Sequence, residues 1–259
     1  MKIDALVLAG GLMTPEDPLY SENGEGRRTL IELHGKPMVQ WVIDALNAAR
    51  SIGEIYVIGL SEMHGLSSSK TLHYLPDEGG LFENMRSGVL EITRRNPDQS
   101  KVMIASGDIP AIQPHMVDWL AQQVASDPDF WIYYNVIPQA VMEDRFPDAN
   151  RSFVRFKDVA VCGGDLNVVD KRLYTSEQPV WEKLTAARKN PVRQMLLLGV
   201  DSLILIALRL LSLEKAVRRV CKKLSIKGKA LVSPYAEIGM DADKPNQLAL
   251  LRDDLEGRS

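Results

Sequence analysis

The sequence predicts an α/β fold, a mostly parallel sheet with helices on both faces, from three observations. Apolar runs alternate with segments of helical periodicity through the first 125 residues. The first runs are apolar throughout rather than alternating, as strands covered on both faces are. Three of them stop abruptly at Gly10-Gly11, Gly59 and Asp108, at the carboxyl ends where an open parallel sheet presents its ligands.

Each element follows from its own pattern. Residues 3–9 are the first buried strand, and the glycine pair opens a long polar stretch, LMTPEDPLYSENGEGRRTL. KPMVQWVIDALNAA then sets Met38, Val42, Ala45 and Leu46 on one helical face, with Pro37 suited to the first turn. EIYVIGL is a second strand, and LFENMRSGVLEITRR a helix opened by the turn Gly79-Gly80. KVMIASGDIP is a third strand, and QPHMVDWLAQQVA the next helix. From about residue 130 the pattern changes: DFWIYYNVI and RSFVRFKDVAVCGGDLNVVD alternate as strands or hairpins do. PVWEKLTAARKNPVRQMLLLG and the apolar stretch after it read as helical, and KALVSPYAEIGMDADKPNQLALLRDDL as a short strand, a loop and a closing helix. With no internal repeat or long linker, residues 1–259 are expected to form a single domain.

Composition narrows the class. Hydrophobic content of 45% and charged content of 25% are those of an ordinary globular chain. A formal net charge of −3 leaves no general footprint for nucleic acid. The two cysteines, Cys162 and Cys221, form neither a C-x-x-C motif nor a disulfide framework, and read as thiols in a reducing compartment. The N-terminus, with Asp4, is too short and acidic for a signal peptide, so a cytoplasmic protein is expected. MLLLGVDSLILIALRLLSL, residues 195–213, carries Asp201 and Arg209 and is too short a clean run for a stable membrane span. A buried helix, a membrane-surface contact, a homo-oligomer interface and a seat for an apolar acceptor tail are the readings it leaves open.

Asp108, in ASGDIP, follows a buried strand at the ligand end of the sheet. It reads either as a turn aspartate beside Pro110 or as a hard carboxylate ligand holding Mg²⁺ against phosphate oxygens. GMDADKP offers Asp241 and Asp243, whose i, i+2 spacing in an extended segment points both the same way, with Lys244 beside them. The four histidines are scattered, with no serine–histidine pairing; His34 and His115 read as surface turn or helix residues.

LVLAGG, RTLIELHGKPMVQWVIDAL, ASGDIP and DADKPNQL, in that order, resemble the landmarks of nucleotidyltransferases of the MobA-like type. The resemblance covers residues 3 to about 125 and returns in 150–170 and 236–252; a helical insertion separates the last two. It implies a Rossmann-like three-layer sandwich of the GT-A type. Its NTP-binding half would be residues 1–125, its acceptor and metal half 126–190 and 230–259, and its helical insertion 191–229. It also implies Mg²⁺-dependent transfer of a nucleoside monophosphate from an NTP to a phosphorylated small-molecule acceptor, with release of pyrophosphate.

Carried over residue by residue, Ala9, Gly10 and Gly11 match the loop whose backbone N–H groups approach the triphosphate. Arg28, beside Arg27, stands where the pattern usually has a lysine that neutralises the phosphates. Gly79, Gly80 and Asn84 match the nucleobase segment. Asp108 and Asp243 match the metal ligands, which with Arg28 make up the catalytic set. On the acceptor side the resemblance points to Gly164, Asp165 (where the family has an asparagine) and Asn167. Arg155, with Arg145 and Arg151 as alternatives, is a candidate for an acceptor phosphate.

This chain departs from the family at the loop after the glycines. The usual arginine is missing there, and Glu16, Asp17 and Glu22 bring negative charge. Two alternatives stay open: a glycosyltransferase of related fold, and a non-catalytic nucleotide-binding paralogue.

Overall fold

The computed structural model describes residues 2–24, 26–175 and 208–257. Among them, nine strands share one sheet. Its parallel part runs in the order β5 (Leu72–Leu75), β4 (Ile52–Ile58), β1 (Ile3–Leu8), β6 (Lys101–Ser106). Beyond β6 the sheet is mixed. β10 (Leu166–Asp170) lies antiparallel between β6 and β7 (Ile132–Pro138), and β9 (Ala160–Gly163) follows along the same edge of β7. β8 (Val154–Arg155) closes that end, and β11 (Gly228–Val232) runs parallel on the other edge of β7. A separate hairpin joins β2 (Glu32–Leu33) to β3 (Lys36–Pro37).

The layers follow from side-chain alternation along β1. Ile3, Ala5, Val7 and Ala9 face a core shared with α2 (Met38–Ala48), α4 (Pro114–Ser126) and α8 (Pro245–Leu255). Leu6 faces a second core, with Val89 and Ile92 of α3 (Leu81–Arg95) and Leu173 of α6 (Arg172–Thr175). Burial on both faces is why this strand reads as a continuous apolar run, each large side chain contributing about 1.5–3 kcal/mol. Gly88 lets α3 rest on Leu6, whose side chain fills the space a Cβ would need.

One expectation is refined. Pro37 precedes the first turn of α2 as its cap residue rather than sitting within it. β5 had no counterpart in the sequence reading, and neither did α5 (Gln139–Arg145). His34 takes a left-handed backbone (φ 53°) in the β2–β3 hairpin, and its ring bonds the Arg252 carbonyl at 2.7 Å. PVWEKLTAARKNPVRQMLLLG lies outside the described residues, as does most of segment 195–213; α7 (Leu213–Leu224) begins at its end. Among the described residues no helix is long and apolar enough to cross a membrane.

Candidate active site

The parallel strands β1, β4 and β6 bring Gly10-Gly11, Gly59 and Asp108 to one end of the sheet. Gly59 (φ 94°) packs its α-carbon against the backbone of Gly10, a contact no side chain would allow. Gly10 has no room either: a Cβ there would sit 2.8 Å from both Asp77 Oδ2 and Asn84 Nδ2. Gly10 and Gly11 floor a cleft of about 600 Å³, lined also by Arg27, Arg28, Asp77, Asp108 and Asn84.

Asp77 organises the near side of the cleft. Its carboxylate accepts hydrogen bonds from Gly11 N–H (2.9 Å), Gly79 N–H (3.0 Å), Arg27 Nη1 (3.0 Å) and Asn84 Nδ2 (3.1 Å). The Gly11 N–H above all, with Asn84, Gly79 and Arg27 adding to it against partial burial, holds this carboxyl far below the usual range. Asn84 is buried, and its oxygen accepts from Glu78 N–H at 2.7 Å, so both ends of its amide serve the loop. Gly79 (φ 78°) and Gly80, the cap residue of α3, complete the turn.

Arg28 lies across the cleft among three carboxylates. It donates to Asp17 at 2.6 Å and to Asp243, and one of its nitrogens is 4.0 Å from Asp108 Oδ2. Asp108 is also hydrogen-bonded by Ser106 Oγ at 2.6 Å. Burial, with the Asp243 charge adding to it, pushes the Asp108 carboxyl up against the opposing pull of Ser106 and Arg28. Asp243 reaches this spot because Ala242 N–H bonds the Asp108 carbonyl at 3.1 Å. Buried Gln247 then holds the Asp243 N–H at 3.1 Å.

Among the described residues no group of three or more His, Cys, Asp or Glu forms a ready metal cage. The donor set nevertheless fits a hard cation such as Mg²⁺, which commonly takes one or two carboxylates and completes its shell with water and substrate phosphates. Asp108 and Asp243 converge on one arginine nitrogen, and their mutual repulsion is what a dication would relieve.

Next to Ser106, which lines the cleft, the sheet carries a bulge, the Ser106 N–H bonding the Asp165 carbonyl at 2.9 Å. Between the Val136–Gly163 and Tyr133–Val168 pairings, the strand opposite β7 carries two more residues than β7 does. Gly164 and Asp165 occupy the bulge, tied down by Gly164 N–H to Asn135 O (2.9 Å) and Asp165 N–H to Ile238 O (2.8 Å). Asn167 clamps it, accepting from Asn135 N–H at 2.8 Å and donating to Gly164 O at 2.7 Å. Burial, reinforced by the charges of Asp108 and Asp243 against that of Arg151, pushes the Asp165 carboxyl up to about 7. Its Oδ2 is buried with no hydrogen-bond partner among the described residues, and so is Arg151 Nε.

The sequence-derived residues separate on this geometry. Gly10, Gly11, Arg27, Arg28, Gly79, Gly80, Asn84 and Asp108 line one cleft, Asp243 is bound to Arg28 and Asp165 lies within electrostatic reach, whereas Ala9 is fully buried in the core. Arg155 lies on the exposed edge strand β8, and the cation acting on Asp165 is Arg151. Arg145 is engaged elsewhere by Glu237 and Asp254. Asp241 and Asp243 do not act as a pair, since Asp241 binds Arg151 while Asp243 binds Arg28. Asp77 is the central residue that sequence reasoning missed.

A sheet with a glycine-floored cleft at its carboxyl ends, flanked by cations and paired carboxylates, belongs to a class that handles phosphorylated ligands. The chain belongs to the MobA-like NTP transferase family, whose domain model matches residues 5–226. A solved structure from Thermus thermophilus, described as a hypothetical transferase, is 32% identical with a TM-score of 0.82, over 96% of this chain and 100% of that one. A CMP:2-keto-3-deoxy-manno-octonic acid synthetase complexed with CTP superposes with a TM-score of 0.60 at 13% identity, over 100% of both chains. The 4-diphosphocytidyl-2C-methyl-D-erythritol synthase of Anaerococcus prevotii gives 0.59 at 12% identity, over 98% of this chain and 96% of that one. At such identities the likeness establishes the fold, the Rossmann-like α/β sandwich expected from the sequence. No protein of curated function matches.

Proposed function

We propose that the protein is a Mg²⁺-dependent nucleotidyltransferase, moving a nucleoside monophosphate from an NTP to a phosphorylated small-molecule acceptor with release of pyrophosphate. One observation carries the reading: the glycine floor, Arg28 and the Asp108–Asp243 pair all meet at one cleft beyond the parallel strands. The nucleotide belongs to the half formed by residues 1–125, and the acceptor to the half that carries the bulge.

In this reading Gly10 and Gly11 let the phosphates approach the backbone closely, and Arg27 and Arg28 neutralise them. Gly79 and Gly80 present backbone groups to the base, because the amide of Asn84 is already committed. Asp108 and Asp243 would hold the metal ion, which supplies Lewis-acid stabilisation of charge on the α-phosphate and the departing pyrophosphate. The acceptor phosphate oxygen attacks the α-phosphorus in line, a new P–O bond forms, and the bond to the pyrophosphate oxygen breaks. No protein base is needed for a nucleophile already ionised at neutral pH. The chain's contribution is placement and charge. Asp165 and Arg151 face the acceptor, and Arg151 takes the place first given to Arg155. Such chemistry suits a cytoplasmic enzyme supplied with NTP.

A glycosyltransferase is less well supported, because the β6 end carries the single aspartate of SGDIP rather than an Asp-x-Asp pair. Thermal unfolding with each of the four NTPs, with and without Mg²⁺, tests the proposal. CTP is the first to try, given the complexed neighbour. A Mg²⁺-dependent rise with one NTP, followed by pyrophosphate release with a suitable acceptor, is the expected result. No rise with any NTP would overturn the proposal, and a rise without pyrophosphate release would favour the non-catalytic nucleotide-binding reading.

A further inference from the structure

The donors that would grip a triphosphate are already bonded to the protein's own carboxylates. Gly11 N–H, Gly79 N–H and Arg27 bind Asp77, and Arg28 binds Asp17 and Asp243. Around the cleft, two guanidiniums (Arg27 and Arg28) face four carboxylates (Asp17, Asp77, Asp108 and Asp243). Three of the four have a place in the site as described: Asp77 holds the loops together, and Asp108 and Asp243 form the metal pair. Asp17 has none.

Asp17 is nevertheless held firmly in position. The segment that carries it is anchored by Met13 and Leu19, both buried, and by the Glu22–Arg252 ion pair at 2.6 Å. The two oxygens of Asp17 are divided: Oδ1 accepts Leu19 N–H at 2.9 Å, and Oδ2 accepts Arg28 Nη2 at 2.6 Å. That division matters. If Arg28 turned to another anion, the local turn at Leu19 would keep its hydrogen bond and no backbone donor would be stranded. Asp77, with two backbone N–H groups on its carboxylate, cannot leave so cheaply.

We propose that Asp17 is a displaceable latch on Arg28, exchanged for a phosphate of the incoming nucleotide, and that it sets the affinity of the cleft for the triphosphate. This rests on the nucleotide reading of the cleft. While the latch is closed, Arg28 is masked to weakly held anions. Once a phosphate takes Arg28, Asp17 stays next to it as a like charge, so the latch lowers affinity by competition and by repulsion.

The test uses inorganic triphosphate in the presence of EDTA, titrated calorimetrically into the full chain. Asp17→Asn keeps the shape and the Leu19 contact while removing the charge, and is expected to bind about three- to tenfold tighter than the parent. Asp17→Glu, which keeps the charge, should bind no tighter than the parent. Adding Arg28→Ala to Asp17→Asn should abolish the gain and thereby place the bound anion at Arg28. Equal or weaker binding by Asp17→Asn overturns the latch and makes Asp17 an orienting partner of Arg28 or a bystander. If the parent binds an NTP but Asp17→Asn does not differ, the latch alone fails. If neither protein binds triphosphate or any NTP, the latch and the nucleotide reading fail together.

Discussion

The glycine floor of the cleft and the bulge beside it solve the same problem in opposite ways. On the side of the glycine floor, Asp77 gathers four donors on one carboxylate and Asn84 uses both ends of its amide, so the polar groups there are matched to one another. On the side of the bulge, the frame is tied as tightly by Asn135 and Asn167, but Asp165 Oδ2 and Arg151 Nε are buried without hydrogen-bond partners among the described residues. Unmatched buried polar atoms cost about 1–3 kcal/mol each, so they persist where something else offsets the cost. The comparison teaches that one side is matched within the chain, whereas the other keeps buried polar atoms that the described residues leave without hydrogen-bond partners.

The largest expected effect lies where the two sides meet. Asp108→Ala should lower the rate of pyrophosphate release about a thousandfold, the scale of several kcal/mol of lost charge stabilisation, while leaving the circular dichroism spectrum unchanged. Turnover near that of the parent would remove Asp108 from the metal pair.

Asp165 tests the unmatched side through pH. Folding raises its carboxyl to about 7, so the folded state holds this proton more tightly than the unfolded chain does. Its contribution to stability is therefore full below the ordinary aspartate range near 4, and it is lost as pH rises through about 7. Asp165→Asn should flatten that decline, gaining about 2–4 kcal/mol on the parent between pH 4 and pH 8 in metal-free urea titrations. Parallel curves for the two proteins would show that the site does not hold Asp165 protonated.

Next comes the matched side. Asp77→Ala strips partners from Gly11, Gly79, Arg27 and Asn84 together and should cost about 1–3 kcal/mol, lowering the melting temperature by several degrees. The apparent affinity for NTP should weaken with it, because the glycine floor and the base loop are no longer tied to each other. A change in melting temperature with no change in NTP affinity would separate the scaffold from the site. The smallest effect is expected at Arg155. Arg155→Ala should leave stability within about 0.5 kcal/mol and the acceptor KM unchanged, whereas Arg151→Ala should raise that KM. The reverse order would restore Arg155 as the acceptor cation.

How much of this was legible depended on how far apart in sequence the partners lie. Strands β1, β4 and β6 announced themselves because burial on both faces leaves a continuous apolar run, and their ends marked the cleft. Asp108 stood out because it follows such a run directly. β5 did not, being a four-residue edge strand after a serine-rich stretch, with only Leu75 buried. Asp77 was invisible for a different reason: its meaning lies in Gly11 and Arg27, 66 and 50 positions away. Arg151 and Arg155 look alike in sequence, whereas in the structure Arg151 pairs with Asp241 and acts on Asp165 and Arg155 lies on an exposed edge strand. The same pairing undid the reading of Asp241 and Asp243 as companions, since they go to different arginines.

The bulge at Gly164 and Asp165 has a consequence for how such a site can change over time. Two extra residues, unlike one, preserve the parity of a strand: Cys162 before the bulge and Leu166 and Val168 after it still belong to one buried core. An even-numbered insertion therefore reshapes the rim of the cleft without turning the strand inside out. Such an edit leaves the hydrophobic interior in register.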